Sequence, residues 1–150
     1  MRPTISPILI DTNIPVYAAG RAHPLKEPAL AVLDLAARNR SVFFTDAEVL
    51  QELLHRYLAL RLWEQFRGPF HAFARLMEGR VEPISGQDVL QAAGLADQLK
   101  LAARDLIHLV VMNRVGTGRI ASADSGFDRV YGIERLDPMQ VDEWRDTVTA

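Results

Sequence analysis

The chain contains no cysteine. Disulfides, thiolate metal sites and a cysteine nucleophile are therefore excluded, and a reducing compartment fits. No stretch approaches the roughly 18 consecutive apolar residues of a membrane-spanning helix, and no basic start leads into an apolar signal segment. The expectation is a cytoplasmic protein with no membrane partner. Lysine is scarce: of 17 basic residues only Lys26 and Lys100 are lysine. The rest are arginine, which suits bidentate phosphate contact but is also enriched by genome composition. Net charge is −2, so the surface does not grip nucleic acid all round. A Gly-rich phosphate loop, a G-x-S-x-G elbow and an H-E-x-x-H zinc helix are all missing.

What is present suits one α/β domain spanning residues 1–150. Hydrophobic residues make up 49% and charged residues 24%, ordinary values for a folded globule. Ile5 to Ile10 reads as a short buried strand, followed by one helical turn from Ile14 to Ala19 behind Pro15. Residues 28–38 have helical periodicity, and "SVFF" (41–44) reads as a second strand. Thr45 and Glu48 have the spacing of a capping box ahead of a helix striped by Leu50, Leu53, Leu54, Tyr57 and Leu58. "RGPF" (67–70) reads as a break in the helical region. "RVEPI" reads as a third, edge-type strand, and Ser85 as the cap of a helix from Gln87. Residues 101–115 are apolar nearly all round, as in a buried helix. "GRIAS" and "GIERL" complete five strands alternating with helices, which argues for a parallel sheet covered on both faces.

In such sheets ligands bind beyond the carboxyl ends of the strands. Asp11 follows "PILI" and Asp124 follows "RIASA", with Asp128 four residues on. Glu52 and Asp105 lie in the two helices. If these acids converge, they form an oxygen-rich pocket of the kind hard cations prefer. Each has a plainer reading. Asp11 could cap a turn, and Asp124 and Asp128 could be turn residues beside Gly126. Glu52 lies nearly opposite its helix's apolar stripe, which favours a solvated face. Asp105 could complement the helix dipole or pair with a cation. A rival constellation exists in "ELLH" and "DLIH", which repeat the carboxylate-x-x-His spacing of dinuclear iron bundles. The strand signals disagree with a bundle, so His55 and His108 read as core groups or as support for the acids. His23 and His71 read as loop or surface residues.

Taken in order, the segments resemble the PIN-domain ribonucleases, and among them the VapC-like toxins of toxin–antitoxin pairs. "ILIDTNIPVYA" is similar to the family's first strand and Asp-Thr-Asn block. "TDAEVLQELLHRY" resembles the second block, "AARDLIHLVVMNRVG" the third and "RIASADSGFDRVYGIERL" the fourth. The resemblance covers nearly the whole chain. It implies a three-layer α/β/α sandwich, Rossmann-like, with a parallel sheet of about five strands. It implies RNA cleavage dependent on one or two Mg2+ or Mn2+ ions, held by Asp11, Glu52, Asp105 and Asp124. Asn13 and Ser122 would orient the site, Ser122 standing where threonine is commoner, and Asp128 would assist. Arg56 and Arg104 are candidates for phosphate contact, or for structural salt bridges. The implied partners are RNA, a small antitoxin and a second copy of the chain, with apolar surface offered between Leu58 and Met77. The alternative is a decayed module that binds RNA or a protein partner without cleaving.

Overall fold

The structure, a computed structural model, describes residues 5–149. The outermost residues of the expected domain, 1–4 and 150, lie outside them. Five strands form one parallel sheet: β1 (Ile8–Ile10), β2 (Phe43–Asp46), β3 (Val81–Glu82), β4 (Arg119–Ala121) and β5 (Glu134–Leu136). Their order across the sheet is β3-β2-β1-β4-β5. The chain thus winds outward from β1 in one direction and then returns to its other side. Ile8 lies opposite Phe43 on one side and Arg119 on the other. The crevice between β1 and β4 is the switch point, where open α/β sheets place their ligands.

Side chains alternate across the sheet, and this sorts the core into two layers. Ile8, Ile10, Phe43 and Ala121 face α1 (Asn13–Ala19), α2 (Lys26–Arg38), α3 (Ala47–Ala59) and α4 (Trp63–Leu76). Leu9, Phe44 and Ile120 face the other way, against α6 (Ala103–Val115). Ala92 of α5 (Gly86–Leu95) then packs outside α6 on Leu106, Ile107 and Val110. Ile8, Leu9 and Ile10 are fully buried, and each such side chain stabilises the fold by about 1.5–3 kcal/mol. The result is the expected α/β/α sandwich. Helix α6 is buried without interruption from Asp105 to Met112, as its all-round apolar sequence requires. It stops at Gly116, whose φ of 91° lets its N–H and that of Thr117 close back on Met112. A short final helix, α7 (Val141–Trp144), lays Val141 and Trp144 on the α2 side of the core.

Two local expectations are corrected. Thr45 and Glu48 do not form a capping box. Pairing of Thr45 with Val81 and of Asp46 with Glu82 carries β2 two residues further, so Asp46 becomes the cap of α3 and accepts from the Val49 N–H. Thr45 is instead a strand residue whose hydroxyl donates to the Ile10 carbonyl at 3.0 Å. "RGPF" does not break the helical region, because α4 runs through it with Pro69 inside. Pro69 is itself exposed, while Phe66, Phe70 and Phe73 of the same helix pack against the core and hold it in place. The break comes earlier, at Arg61, which takes a left-handed φ of 57° between α3 and α4. Ser85, by contrast, caps α5 as expected, in a reciprocal box with Asp88.

Candidate active site

Strand β1 delivers Asp11 to the carboxyl edge of the sheet, where its backbone N–H still bonds the Ala121 carbonyl of β4. The side chain is buried and held by neutral donors. The Thr12 N–H donates to Oδ1 at 2.8 Å, and the Ser122 hydroxyl to Oδ2 at 2.7 Å. Asn13 ties the turn together. Its amide donates to Ser122 Oγ at 3.1 Å and to Asp11 Oδ2 at 3.3 Å, while its carbonyl accepts from the Ala123 N–H at 3.0 Å. Ser122 Oγ in turn accepts from the Asp124 N–H. One frame therefore links the ends of β1 and β4 and fixes Asp11 without neutralising it.

Asp105 enters from the first turn of α6, and Glu52 from the middle of α3. Asp11, Asn13, Glu52, Asp105 and Asp124, with Thr12, Val16, Tyr17, Arg56 and Arg104, line one cleft of about 230 Å³. Glu52 does not lie on a solvated face: its carboxylate accepts from the Thr12 hydroxyl at 2.6 Å and pairs with Arg104 at 3.1 Å. The helical wheel misled because its reference stripe covers the core, whereas α3 also touches the rim of the sheet. Asp124 is exposed and caps the short 3-10 helix Ser125–Arg129 through the Gly126 N–H, so its cap and cleft positions coexist. Asp128 is not among the lining residues; Arg135 holds it in a two-point pair at 2.9 and 3.1 Å. Arg56 reaches the cleft, and Arg104 does so while paired to Glu52.

The electrostatics are those of crowded carboxylates. Burial pushes the Asp105 carboxyl up to about 6, and the Asp11 charge adds to the rise, with His108 pulling the other way. Burial also raises Glu48, in the first turn of α3. Beneath the acids sits a group whose role the spacing did not reveal. His108, fully buried on α6, lies 2.6 Å through Nδ1 from Asp46 Oδ2 and 3.5 Å through Nε2 from Asp11 Oδ1. Burial alone would lower its pKa, but the Asp46 bond and the charges of Asp46, Asp11 and Asp105 outweigh it and raise the ring to about 9. Asp46 was missed altogether. The available signal was the parallel between "ILID" and "FFTD", two apolar strands each ending on aspartate. His55 is exposed, which removes the Glu-x-x-His bundle, and His23 and His71 are exposed as expected.

The PIN domain family model matches residues 8–133. The chain belongs to the PIN domain family. It is 41% identical over 130 residues to VapC ribonuclease Mb1869c of Mycobacterium bovis and to Ribonuclease VapC13 of Mycobacterium tuberculosis, covering 86% of this chain and 98% of each relative. It is 35% identical over 118 residues to Ribonuclease VapC23 of Mycobacterium tuberculosis, covering 78% of this chain and 92% of that one. The PIN fold also matches the solved structure of FitAB bound to an IR36 DNA fragment, with a TM-score of 0.62 and 19% identity over 88% of this chain and 95% of that one. FitAcB from Neisseria gonorrhoeae matches with a TM-score of 0.60 and 21% identity over 87% and 97%. In this PIN domain Asp11, Asp105 and His108 each bring a potential ligand atom within 4.8 Å of the others. Among the described residues no helix is long and apolar enough to cross a membrane.

Proposed function

We propose that this PIN domain is a divalent-metal-dependent endoribonuclease and the toxin of a toxin–antitoxin pair. The observation that carries the reading is convergence. Acids from two strand ends and two helices, far apart in sequence, meet in one cleft at the sheet's switch point. The names of the similar proteins, ribonucleases over nearly their full length, agree with it. The donor set fits Mg2+ or Mn2+: oxygen ligands, no sulfur, and buried carboxylates whose mutual repulsion a cation relieves.

In this reading Asp11, Asp105 and Asp124 hold one or two ions, with Glu52 completing the acidic set. A bound ion supplies Lewis-acid polarisation of the scissile phosphate and a lowered pKa for its water. The remaining steps belong to the chain. Asn13 and Ser122 keep Asp11 aimed at the cleft, and Thr12 does the same for Glu52. A carboxylate of the cluster accepts the proton of the attacking water. Arg56 and Arg104 are placed to receive phosphate oxygens, while Asp128 supports the fourth block through Arg135. Such an enzyme works in the cytoplasm, where its RNA substrate is.

A second cavity, of about 610 Å³, adjoins the cleft and shares Val16, Tyr17 and Arg56 with it. Tyr57, Leu60, Leu62 and Phe66 give it apolar walls. We assign it to the antitoxin, whose bound segment would thereby cover the acids, and we expect the free toxin to be a homodimer on light scattering. The test of the enzymatic reading is RNA cleavage with Mg2+ or Mn2+ by the wild-type chain and by Asp11→Asn and Asp105→Asn. Loss of cleavage in both, with the fold retained, supports it. Unchanged cleavage in both sinks it, and RNA binding that needs no metal and leads to no cleavage favours the decayed module.

A further inference from the structure

The buried pair beneath the acids is not used by this mechanism. His108 is fully enclosed on α6, and its Nδ1 meets Asp46 Oδ2 at 2.6 Å. Asp46 is itself fully buried and has its other carboxylate oxygen committed to the Val49 N–H at the start of α3. The carboxylate can only accept, so Nδ1 donates and the ring plane is fixed. That leaves Nε2, which among the described residues has no hydrogen-bond partner and no access to solvent. It stands 3.5 Å from Asp11 Oδ1, the oxygen that already accepts from the Thr12 N–H. A buried polar atom left unpaired costs about 1–3 kcal/mol, so a fold keeps one only where it has a use. The same ring thus stands between the residue that follows β1 and the cap joining β2 to α3.

We infer that His108 is a positioning residue for Asp11, oriented by Asp46. Nε2 presents an N–H to Asp11 Oδ1 from below, opposite the cleft, while Ser122 and Asn13 hold Oδ2. Oδ1 then has a second hold beside the Thr12 N–H, on the far side from the cleft, which resists rotation of the carboxylate away from an incoming cation. A direct metal-ligand role fits less well, because it would turn an imidazole lone pair toward a carboxylate in a site closed to water. Partners that orient metal-binding carboxylates and histidines from outside the ligand set change metal affinity by about 10–100-fold when removed. The inference rests on the proposed metal-dependent reading of this site.

The test is Mn2+ binding to the chain without RNA, by calorimetry, with thermal melting followed in parallel. Asparagine at position 108 can imitate Nδ1 and keep the Asp46 bond, but it does not reach Asp11. Glutamine can imitate Nε2 and keep the donor to Asp11. His108→Asn is expected to weaken Mn2+ binding by about 10–100-fold, and His108→Gln to recover most of that loss. Asp46→Ser, which retains an N-cap hydroxyl too short to reach the ring, is expected to weaken binding in the same direction. It also keeps the inference testable if the asparagine variant does not fold. Equal Mn2+ affinity in wild type, His108→Asn and Asp46→Ser overturns the positioning role and leaves His108 a core residue. A directly coordinated imidazole nitrogen in the pulsed EPR of bound Mn2+ also overturns it, in favour of a ligand. If the wild-type chain itself binds no Mn2+, the metal-dependent reading fails, and this inference with it.

Discussion

Strands β1 and β2 lie side by side, and each brings an aspartate to its carboxyl end that faces the same histidine. Asp46 touches Nδ1 of His108 at 2.6 Å, and Asp11 stands 3.5 Å from Nε2. Their surroundings then diverge. Asp46 is sealed off from solvent, with one oxygen spent on the start of α3 and the other on the ring. Asp11 lines the cleft, where Thr12, Asn13 and Ser122, all neutral, hold it from the turn side, and the His108 ring it shares with Asp46 stands behind it. The lesson is that a strand-end position does not make a site acid. What makes one is a set of partners that fix the carboxylate and leave its charge unspent toward an open cleft.

The sharpest way to break the comparison is to neutralise each acid in turn. Asp11→Asn keeps size and most donors, so melting should move little while RNA cleavage falls by more than the about 10–100-fold typical of residues outside the ligand set. Asp46→Ala should do its damage to the fold. It removes the α3 cap, worth about 1 kcal/mol, and strands a buried histidine, a loss of the order of 3–5 kcal/mol for a broken buried pair. Denaturant unfolding of the two variants under metal-free conditions measures the contrast. If Asp11→Asn unfolds the chain more readily than Asp46→Ala, the assignment of roles is reversed.

The same two strand ends show what a sequence displays and what it hides. The element order, the buried α6 and the acids at the ends of β1 and β4 are legible, because periodicity and strand-end chemistry are local properties. The end of β2 is not. Thr45 and Glu48 have the spacing of a cap, but pairing with β3 is worth more to Thr45 than a helix terminus, and that pairing depends on residues 36 positions away. Pro69 misleads for a related reason: three phenylalanines of α4 pack against the core on either side of it in sequence, so a local breaker loses to tertiary packing. Arg61 makes the real break with no glycine to announce it. The Asp46–His108 contact spans 62 residues and joins two positions that are unremarkable singly.

A third, smaller effect concerns Asp105, which shares the cleft with Asp11. Its pKa in the fold, about 6, lies above the ordinary carboxylate value. The folded chain therefore holds this proton where the unfolded chain has lost it. Between about pH 4 and pH 6 this group's contribution to stability falls as pH rises, and above pH 6 the penalty is constant. In metal-free protein, Asp105→Asn should raise the melting temperature relative to wild type at about pH 8 and have less effect at about pH 4. Added Mn2+ should narrow the difference at high pH, by stabilising the wild-type carboxylates. A gain that is the same at both pH values would mean that Asp105 is not strained by its charge.

The smallest expected effect tests the junction between the two strands itself. Thr45 is fully buried, and its hydroxyl donates to the carbonyl of Ile10, the residue that precedes Asp11. Thr45→Val has nearly the same shape and keeps the β-branched side chain that suits a strand. It removes only the hydroxyl bond, worth about 1 kcal/mol. A capping threonine would instead release the start of α3, and hydrogen exchange at Glu48 and Val49 would then accelerate first. Since Asp46 holds that terminus through the Val49 N–H, the Val49 amide should keep its protection in Thr45→Val and lose it in Asp46→Ala. The loosening in Thr45→Val should appear at the end of β1, in the Asp11 and Thr12 amides, because the hydroxyl is what ties the last turn of β2 to the strand that carries the site.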